Sequence, residues 1–339
     1  MAIESGKHRK KCYLCEIINH LIMSVASFLK SKHDTAFSFE VLPPLRGNSI
    51  ETLFNSVERL MQFAPAYINI TTHRTEVVYK EVSSGIFQRT TERKRPGTVA
   101  IAAALKSRYG VATVPHIICS GFTPSELENE LIDLSYLGIN DLLVLRGDRA
   151  KGDNTFIQEN GGYMHAVELC EQVSKFNSGS LLDATSHDMQ VAPFSFGVAG
   201  YPEKHEEAMN IDIDIEHLKA KIDAGAEYVV TQMFFDNAKY FEFVDRCRAA
   251  GINVPIIPGL KPLTSLTQQA LLPKTFHIDL PMELATELRH CKSNDDVKML
   301  GVEWGTMQAK ELKAAGVPSI HFYSMNSVSS VEKIARNIY

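Results

Sequence analysis

The chain has 339 residues, 45% apolar and 22% charged, with a net charge of −5. That balance is ordinary for a folded globular domain and gives no electrostatic ground for a nucleic-acid or anionic-membrane partner. The length permits two domains, yet α/β barrels of ~250 residues or more form a single unit. The cysteines at 12, 15, 119, 170, 247 and 291 are too scattered for a disulfide framework. Cys12 and Cys15 form one CxxC pair with no further ligands near it, and no HExxH is present, so no metal is expected.

The chain opens with KHRKK and a mostly apolar run from Cys12 to Leu29. Glu16, Asn19 and His20 make that run too polar for a signal core, and it is too short to span a membrane. Ile18, Ile22 and Leu29, with Leu21, Val25 and Phe28, fit one face of a helix. Residues 1–34 are therefore expected to be a helical extension docked on the domain, with Met23 as an alternative start, in a cytoplasmic protein.

From residue 35 to 339 short apolar runs alternate with amphipathic stretches. Strands are expected at Phe37–Leu42, Tyr67–Thr71, Ala112–Ile118, Asp141–Arg146, Phe194–Ala199, Tyr228–Thr231, Pro255–Gly259 and Ser319–Tyr323. Helical patterns lie at Ser49–Gln62, Thr98–Tyr109, Pro124–Leu137, Tyr163–Lys175, Ile213–Ala224, Ala238–Ala249, the region Pro281–Ala315, and Val328–Ile338. Thr123-Pro124 reads as an N-cap followed by proline at the first helical position. Gly138, Gly225, Gly251 and Gly316 each follow a helical pattern, where a left-handed cap is wanted. Val82–Arg95 and Ser178–Ala192 read as long polar loops, the first ending in the basic run Arg89–Arg95. Successive β-α units predict an α/β fold, a single (β/α)8 TIM barrel. An open doubly wound sheet is disfavoured because no GxGxxG follows the first strand.

In such a barrel the chemistry gathers at the C-terminal ends of the strands. The first strand places Glu40 inside an apolar run, and the second ends in Thr71-Thr72-His73. His116 follows Pro115 on the third, and the fourth ends in Arg146-Gly147-Asp148. The fifth runs into Tyr201 and His205, and the sixth ends in Thr231-Gln232. Packing alone does not explain polar groups converging from six strands. Glu40 fits a carboxyl with a raised pKa, held as a general acid. Arg146, His205 and Lys221 suit phosphate or ribose oxygens.

In this order, FSFEVLPP, VPHIIC, LVLRGD, AGYPEKH, HLKAKIDAGAEYVVTQMFFD, IPGLKPL and HFYSMN resemble the methylenetetrahydrofolate reductase family, from Phe37 to Tyr339. The resemblance is to the short, bacterial type, which ends at the barrel and lacks the domain that senses S-adenosylmethionine. It implies a flavoprotein oxidoreductase with non-covalent FAD, NADH or NADPH as reductant, and reduction of 5,10-methylenetetrahydrofolate to 5-methyltetrahydrofolate. It also implies a ping-pong cycle, a role in supplying methionine synthesis, and a homo-oligomer. By motif, Glu40 and Asp148 match the catalytic carboxyls. Thr71, His116, Arg146, Gly147, Asp148, Tyr163, Tyr201, His205, Asp214, His217 and Lys221 match FAD contacts. Gln232, Asp148 and Leu266 match positions that meet the substrates.

The sequence departs from the family pattern at several points. Ala220 replaces an arginine, Leu266 a stacking phenylalanine, and Ser327 an arginine that helps to hold folate, for which Lys261 or Arg74 could substitute. TTHRTE replaces a glycine-containing turn after the second strand. Two other readings share the barrel: a non-redox pterin-binding methyl transferase, and a non-catalytic binding module.

Overall fold

The computed structural model describes residues 23–31, 34–150, 152–183 and 192–339. The Cys12–Cys15 pair, most of the Cys12–Leu29 run and part of the Ser178–Ala192 stretch lie outside the described residues.

Eight parallel strands close into a barrel: β1 (Ala36–Val41), β2 (Tyr67–Ile70), β5 (Ala112–Ile118), β6 (Asp141–Leu145), β7 (Ser195–Gly200), β8 (Tyr228–Met233), β9 (Ile256–Leu260) and β10 (Ser319–Tyr323). Each pairs in parallel with its neighbours, and β10 closes the ring against β1 with Glu40 opposite Tyr323. This is the predicted (β/α)8 architecture. The intervening helices are α2 (Glu51–Met61), α3 (Thr98–Tyr109), α4 (Pro124–Tyr136), α5 (Ala166–Asn177), α6 (Ile211–Asp223), α7 (Asn237–Ala249) and α11 (Val328–Arg336).

Strand alternation sorts the side chains. Phe37, Phe39 and Val41 of β1, Ile68 and Ile70 of β2, and Ile320 and Phe322 of β10 join the core between strands and helices. Residues of the opposite parity, such as Ser38, Glu40, Tyr67, Asn69, His321 and Tyr323, face the lumen. Each fully buried Leu, Ile or Phe of the outer layer contributes about 1.5–3 kcal/mol. The start of α4 follows its sequence signature: Thr123 Oγ1 accepts from Glu126 N (3.3 Å) while Thr123 N donates to Glu126 Oε2 (2.8 Å). Gly138, Gly225, Gly251 and Gly316 all take positive φ.

Three stretches differ from the sequence reading. Val82–Arg95 is not a featureless loop: β3 (Glu76–Ser83) and β4 (Ile86–Glu92) form an antiparallel hairpin that takes in Arg89, while Arg93, Lys94 and Arg95 follow it. The region Pro281–Ala315 is two helices, α9 (Met282–His290) and α10 (Asn294–Ala314), separated where Ser293 caps α10 by accepting from Asp296 N. A further helix, α8 (Gln268–Phe276), precedes them. These helices cover a satellite core of Met233, Phe235, Leu263, Leu272, Leu284, Leu288 and Val297 at the C-terminal side of β8 and β9.

The opposite end of the lumen is largely apolar, with the Asp141 carboxyl buried in it. A short helix, α1 (Val25–Ser31), packs Val25, Ala26 and Leu29 against Tyr67, Val114, Leu143, Tyr228, Val230 and Ile257. Val25 N donates to Asp141 Oδ1 at 2.7 Å. Burial lifts the Asp141 carboxyl to about 7, although the Val25 bond opposes the shift. Because the folded-state pKa is raised, the stability this group contributes is full below the ordinary carboxylate range. It is lost as pH rises through about 7. Asp141→Asn keeps an acceptor for Val25 and removes the charge. Thermal melts are expected to show a higher Tm than wild type at pH 8.5 and a much smaller difference at pH 5; an equal difference at both would contradict the assignment.

Candidate active site at the barrel mouth

Every sequence-predicted polar residue borne by a strand or following one sits at the C-terminal mouth, since the strands are parallel. Glu40 is the deepest carboxyl among them, 5% exposed. Burial lifts its pKa to about 8, and the Lys261 ammonium just past β9 pulls weakly the other way. His116 of β5 places Nε2 3.6 Å from Glu40 Oε2, just beyond direct hydrogen-bond reach. Burial pulls His116 down to about 3, and His73 reinforces the shift. Between these values both groups are neutral, so this is an uncharged contact between a carboxylic acid and an imidazole.

The β6 end supplies the next group. Gly147 has φ +81°, and an added Cβ would lie 3.0 Å from Ser120 Cβ and 3.1 Å from Ile118 Cβ. Glycine therefore permits this turn, which carries Arg146 and Asp148 out of the strand. Ser120 Oγ donates to the Asp148 carbonyl, leaving the Asp148 side chain exposed at the rim. Arg146 forms a two-pronged ion pair with Glu207 (3.0 Å for Nη2–Oε1) and stacks its guanidinium 4.8 Å from the Phe156 ring.

After β7, Tyr201 meets His205 edge-on with centroids 4.7 Å apart. Asp214 Oδ2 accepts from His205 N at 2.9 Å, so this buried carboxylate fixes the loop. Lys221 Nζ donates to Ala199 O at 2.7 Å, while His217 lies exposed on the same helix, α6. Thr71 N donates to Val41 O at 3.1 Å and ties β2 to β1. Tyr163, half-buried, packs on the core ahead of α5. Gln232, half-buried on β8, folds its Oε1 onto Met233 N at 2.9 Å.

The remaining positions are structurally committed. Leu266 packs on the satellite core, and its N–H donates to Asn294 Oδ1 at 3.0 Å. Ser327 is buried and donates to Ser324 O at 2.9 Å. Arg74 bridges Ser120 Oγ (3.3 Å) and Glu159 Oε1 (3.2 Å). Sequence reasoning passed over Ser38, Asn69, His321 and Tyr323 of the lumen. Their signal was the two-residue spacing of polar groups along β1, β2 and β10. Tyr323 donates to Thr231 O at 2.6 Å, across a site where a Cβ on Gly259 would meet both groups within 2.8 Å.

These features define a TIM-barrel protein with a buried, protonated carboxyl and a phosphate-suited donor set around one mouth. The chain belongs to the methylenetetrahydrofolate reductase family, whose family model, described as "Methylenetetrahydrofolate reductase", matches residues 25–339. It is 32% identical over 290 residues to the 5,10-methylenetetrahydrofolate reductase of Escherichia coli, covering 85% of this chain and 86% of that one. It is 31% identical over 330 residues to methylenetetrahydrofolate reductase (NADH) 1 of Arabidopsis thaliana, covering 93% of this chain. The chain spans about half, 51%, of that plant relative's length. Among solved structures it resembles, at 15% identity and a TM-score of 0.54, an uncharacterized protein from Clostridium thermocellum that binds two copies of 5-methyl-5,6,7,8-tetrahydrofolic acid. The match covers 91% of this chain and 96% of that one, and it shows the shared fold. Among the described residues no helix is long and apolar enough to cross a membrane.

The electrostatics of the mouth predict the protonation of its histidines. Nitrogen-15 NMR is expected to show His116 as a neutral imidazole from pH 8 down to pH 5. An imidazolium signal for His116 at pH 6 would mean that Glu40 is ionised beside it.

Proposed function

We propose that this chain is a flavin-dependent 5,10-methylenetetrahydrofolate reductase that uses NADH, or NADPH, and forms 5-methyltetrahydrofolate. The observation that carries the reading is Glu40, a carboxyl kept protonated near neutral pH at the mouth of a barrel bearing the family's motifs in order. Its proton goes to the folate nitrogen as the five-membered ring opens. The methylene carbon is then an iminium, the acceptor for hydride. Asp148, exposed at the rim, supports that positive charge with its carboxylate.

The residues at the β6 and β7 ends suit FAD by their chemistry. Arg146 and Lys221 each keep N–H donors beyond those already used, and the ion pair with the part-exposed Glu207 is weak enough to exchange for a phosphate. On this reading Thr71, His116, Arg146, Gly147, Asp148, Tyr163, Tyr201, His205, Asp214, His217 and Lys221 hold FAD. Bound there, FAD supplies the hydride relay between nicotinamide and folate. Gln232 and Leu266 meet the two substrates in turn, which gives a ping-pong order. NADH is favoured because the Arabidopsis relative is named for it. The reading extends to residues 1–34 as an extension to the catalytic barrel of residues 35–339, and to a cytoplasmic homo-oligomer that supplies methyl groups for methionine synthesis.

Purified protein is expected to be yellow, and NADH is expected to bleach it. Methylenetetrahydrofolate should restore the colour, faster below pH 8 than above it, because the acid form of Glu40 is lost as pH rises through about 8. Glu40→Gln should retain FAD and NADH bleaching but slow the folate step at least ~100-fold, as loss of a general acid does. Stopped-flow absorbance measures both steps; a Glu40→Gln protein with a normal folate step would overturn the reading.

A further inference from the structure

Beside and beneath Glu40 the lumen is lined by polar groups that protein atoms leave unsatisfied. His116 Nε2, His321 Nε2 and both amide atoms of Asn69 are buried and have no hydrogen-bond partner. His321 and Asn69 are fully buried. Asn69 lies beside Glu40 in the β1–β2 register, and His321 lies beside Ser38, one inward-facing position below Glu40. The His321 ring is fixed from three sides. It is parallel to Tyr67 at a 6.3 Å centroid separation, edge-on to Tyr323 at 5.3 Å, and its Nδ1 is 3.1 Å from Ser38 Oγ. A ring so tightly held, with its other nitrogen bare, is aimed at something.

Buried polar atoms of native proteins are nearly always satisfied, by protein or by ordered water. A water needs two to four polar partners, and the upper lumen offers several facing atoms. We propose that the lumen beside and beneath Glu40 binds an internal water cluster anchored by His321 Nε2, His116 Nε2 and the Asn69 amide, and that His321 is a positioning residue holding Glu40 in its proton-donating form. This deepens the reading of Glu40 as the acid and rests on it. In the tautomer required, His321 donates Nδ1–H to Ser38, whose own proton goes to Ser319 Oγ (3.3 Å) or Ile320 O (3.4 Å). Nε2 is then a bare acceptor. The water gives a proton to Nε2 and receives the O–H of Glu40, an arrangement that favours the neutral acid.

The other groups facing Glu40 are consistent with this. His116 on β5 is neutral, Asn69 on β2 is uncharged, and Tyr323 on β10 already donates to Thr231 O. Among the described residues Lys261, beyond β9, is the cation acting on Glu40, and it favours the charged form. Burial holds His321 neutral at about 3, with His116 acting in the same sense, so it adds no cation. When Glu40 reacts, its O–H bond breaks as an N–H bond forms on folate. The proton is replaced from solvent at the mouth once the product leaves.

The test compares the two half-reactions of the FAD-loaded enzyme from pH 6 to pH 10. His321→Leu is expected to slow the folate step about tenfold, less than the ~100-fold or more that removing the general acid itself costs. Its alkaline limb should move to lower pH by about one unit, since water freed from Nε2 turns to donate to the carboxylate. Folate KM and the NADH step should stay unchanged. Ser38→Ala, which releases the ring, should move the limb the same way by less. An unchanged limb in both variants, or equal slowing of both half-reactions, overturns the proposal. Should His321→Leu fail to fold, Ser38→Ala and a high-resolution crystal structure of the wild type decide: no ordered water within hydrogen-bond distance of His321 Nε2 overturns it. A dead Glu40→Gln with an unmoved His321→Leu limb removes this proposal alone, whereas an active Glu40→Gln removes the reading beneath it.

Discussion

A carboxyl group buried at the mouth of a closed barrel, with no cation in hydrogen-bond contact among the described residues, sets the terms for the rest of the site. Ionising such a group out of water costs several kcal/mol, so the protein keeps it protonated. The surroundings follow from that constraint. The nearest imidazole must be neutral, because an imidazolium 3.6 Å away would pull the acid into its charged form. Burial of His116 supplies that neutrality, and the barrel supplies the burial by placing β5 and β1 on either side of β2. Lys261 tempers the shift without abolishing it.

Much of the fold was legible because strand alternation and helix caps are local. Glu40 stood out as a charge within FSFEV, and Thr123-Pro124 announced α4 before any contact was known. What escaped had little apolar signal. In the hairpin β3–β4 nearly every side chain is exposed or half-buried, so no buried face writes a period into EVVYKEVS or IFQRTTE. The helix α8 buries only Leu272 and carries Pro273 inside it. The break between α9 and α10 was readable in principle, since Ser293 and Asp296 have capping-box spacing, but the apolar pattern ran across it. At the site, residue types were visible and partners were not. Arg146 could be read as a phosphate ligand, whereas its pairing with Glu207 exists only once the loop after β7 folds back over β6.

The departures from the family pattern take on structural sense. Ser327 sits in a short 3-10 turn (Met325–Ser327) between β10 and α11, with its hydroxyl turned back to the Ser324 carbonyl. In this chain the residue is buried and its side-chain bonds go to the turn's own carbonyls, so here the position serves the turn. Arg74 is held by Glu159 and Ser120, and Ser120 in turn holds the Asp148 backbone. That chain of contacts makes Arg74 a brace for the rim that carries Asp148. Leu266, packed on the satellite core, contributes apolar surface at the β9 side in place of an aromatic face.

The lumen divides into two media, and the division matters for the acid. Its lower half is closed by Tyr67, Val114, Leu143, Tyr228, Val230 and Ile257, sealed from outside by α1. Its upper half carries Ser38, Asn69, His116 and His321. The largely apolar floor and α1 cover the far end of the barrel, so the mouth is the open side toward Glu40. A polar upper half without that floor would be an open channel, and solvent would lower the acid's pKa toward its ordinary value. A dry lumen up to the mouth would strand the carboxyl without any hydrogen-bond partner. The sequence of β1 writes both requirements in alternate positions: Phe37 and Phe39 toward the core, Ser38 and Glu40 toward the lumen.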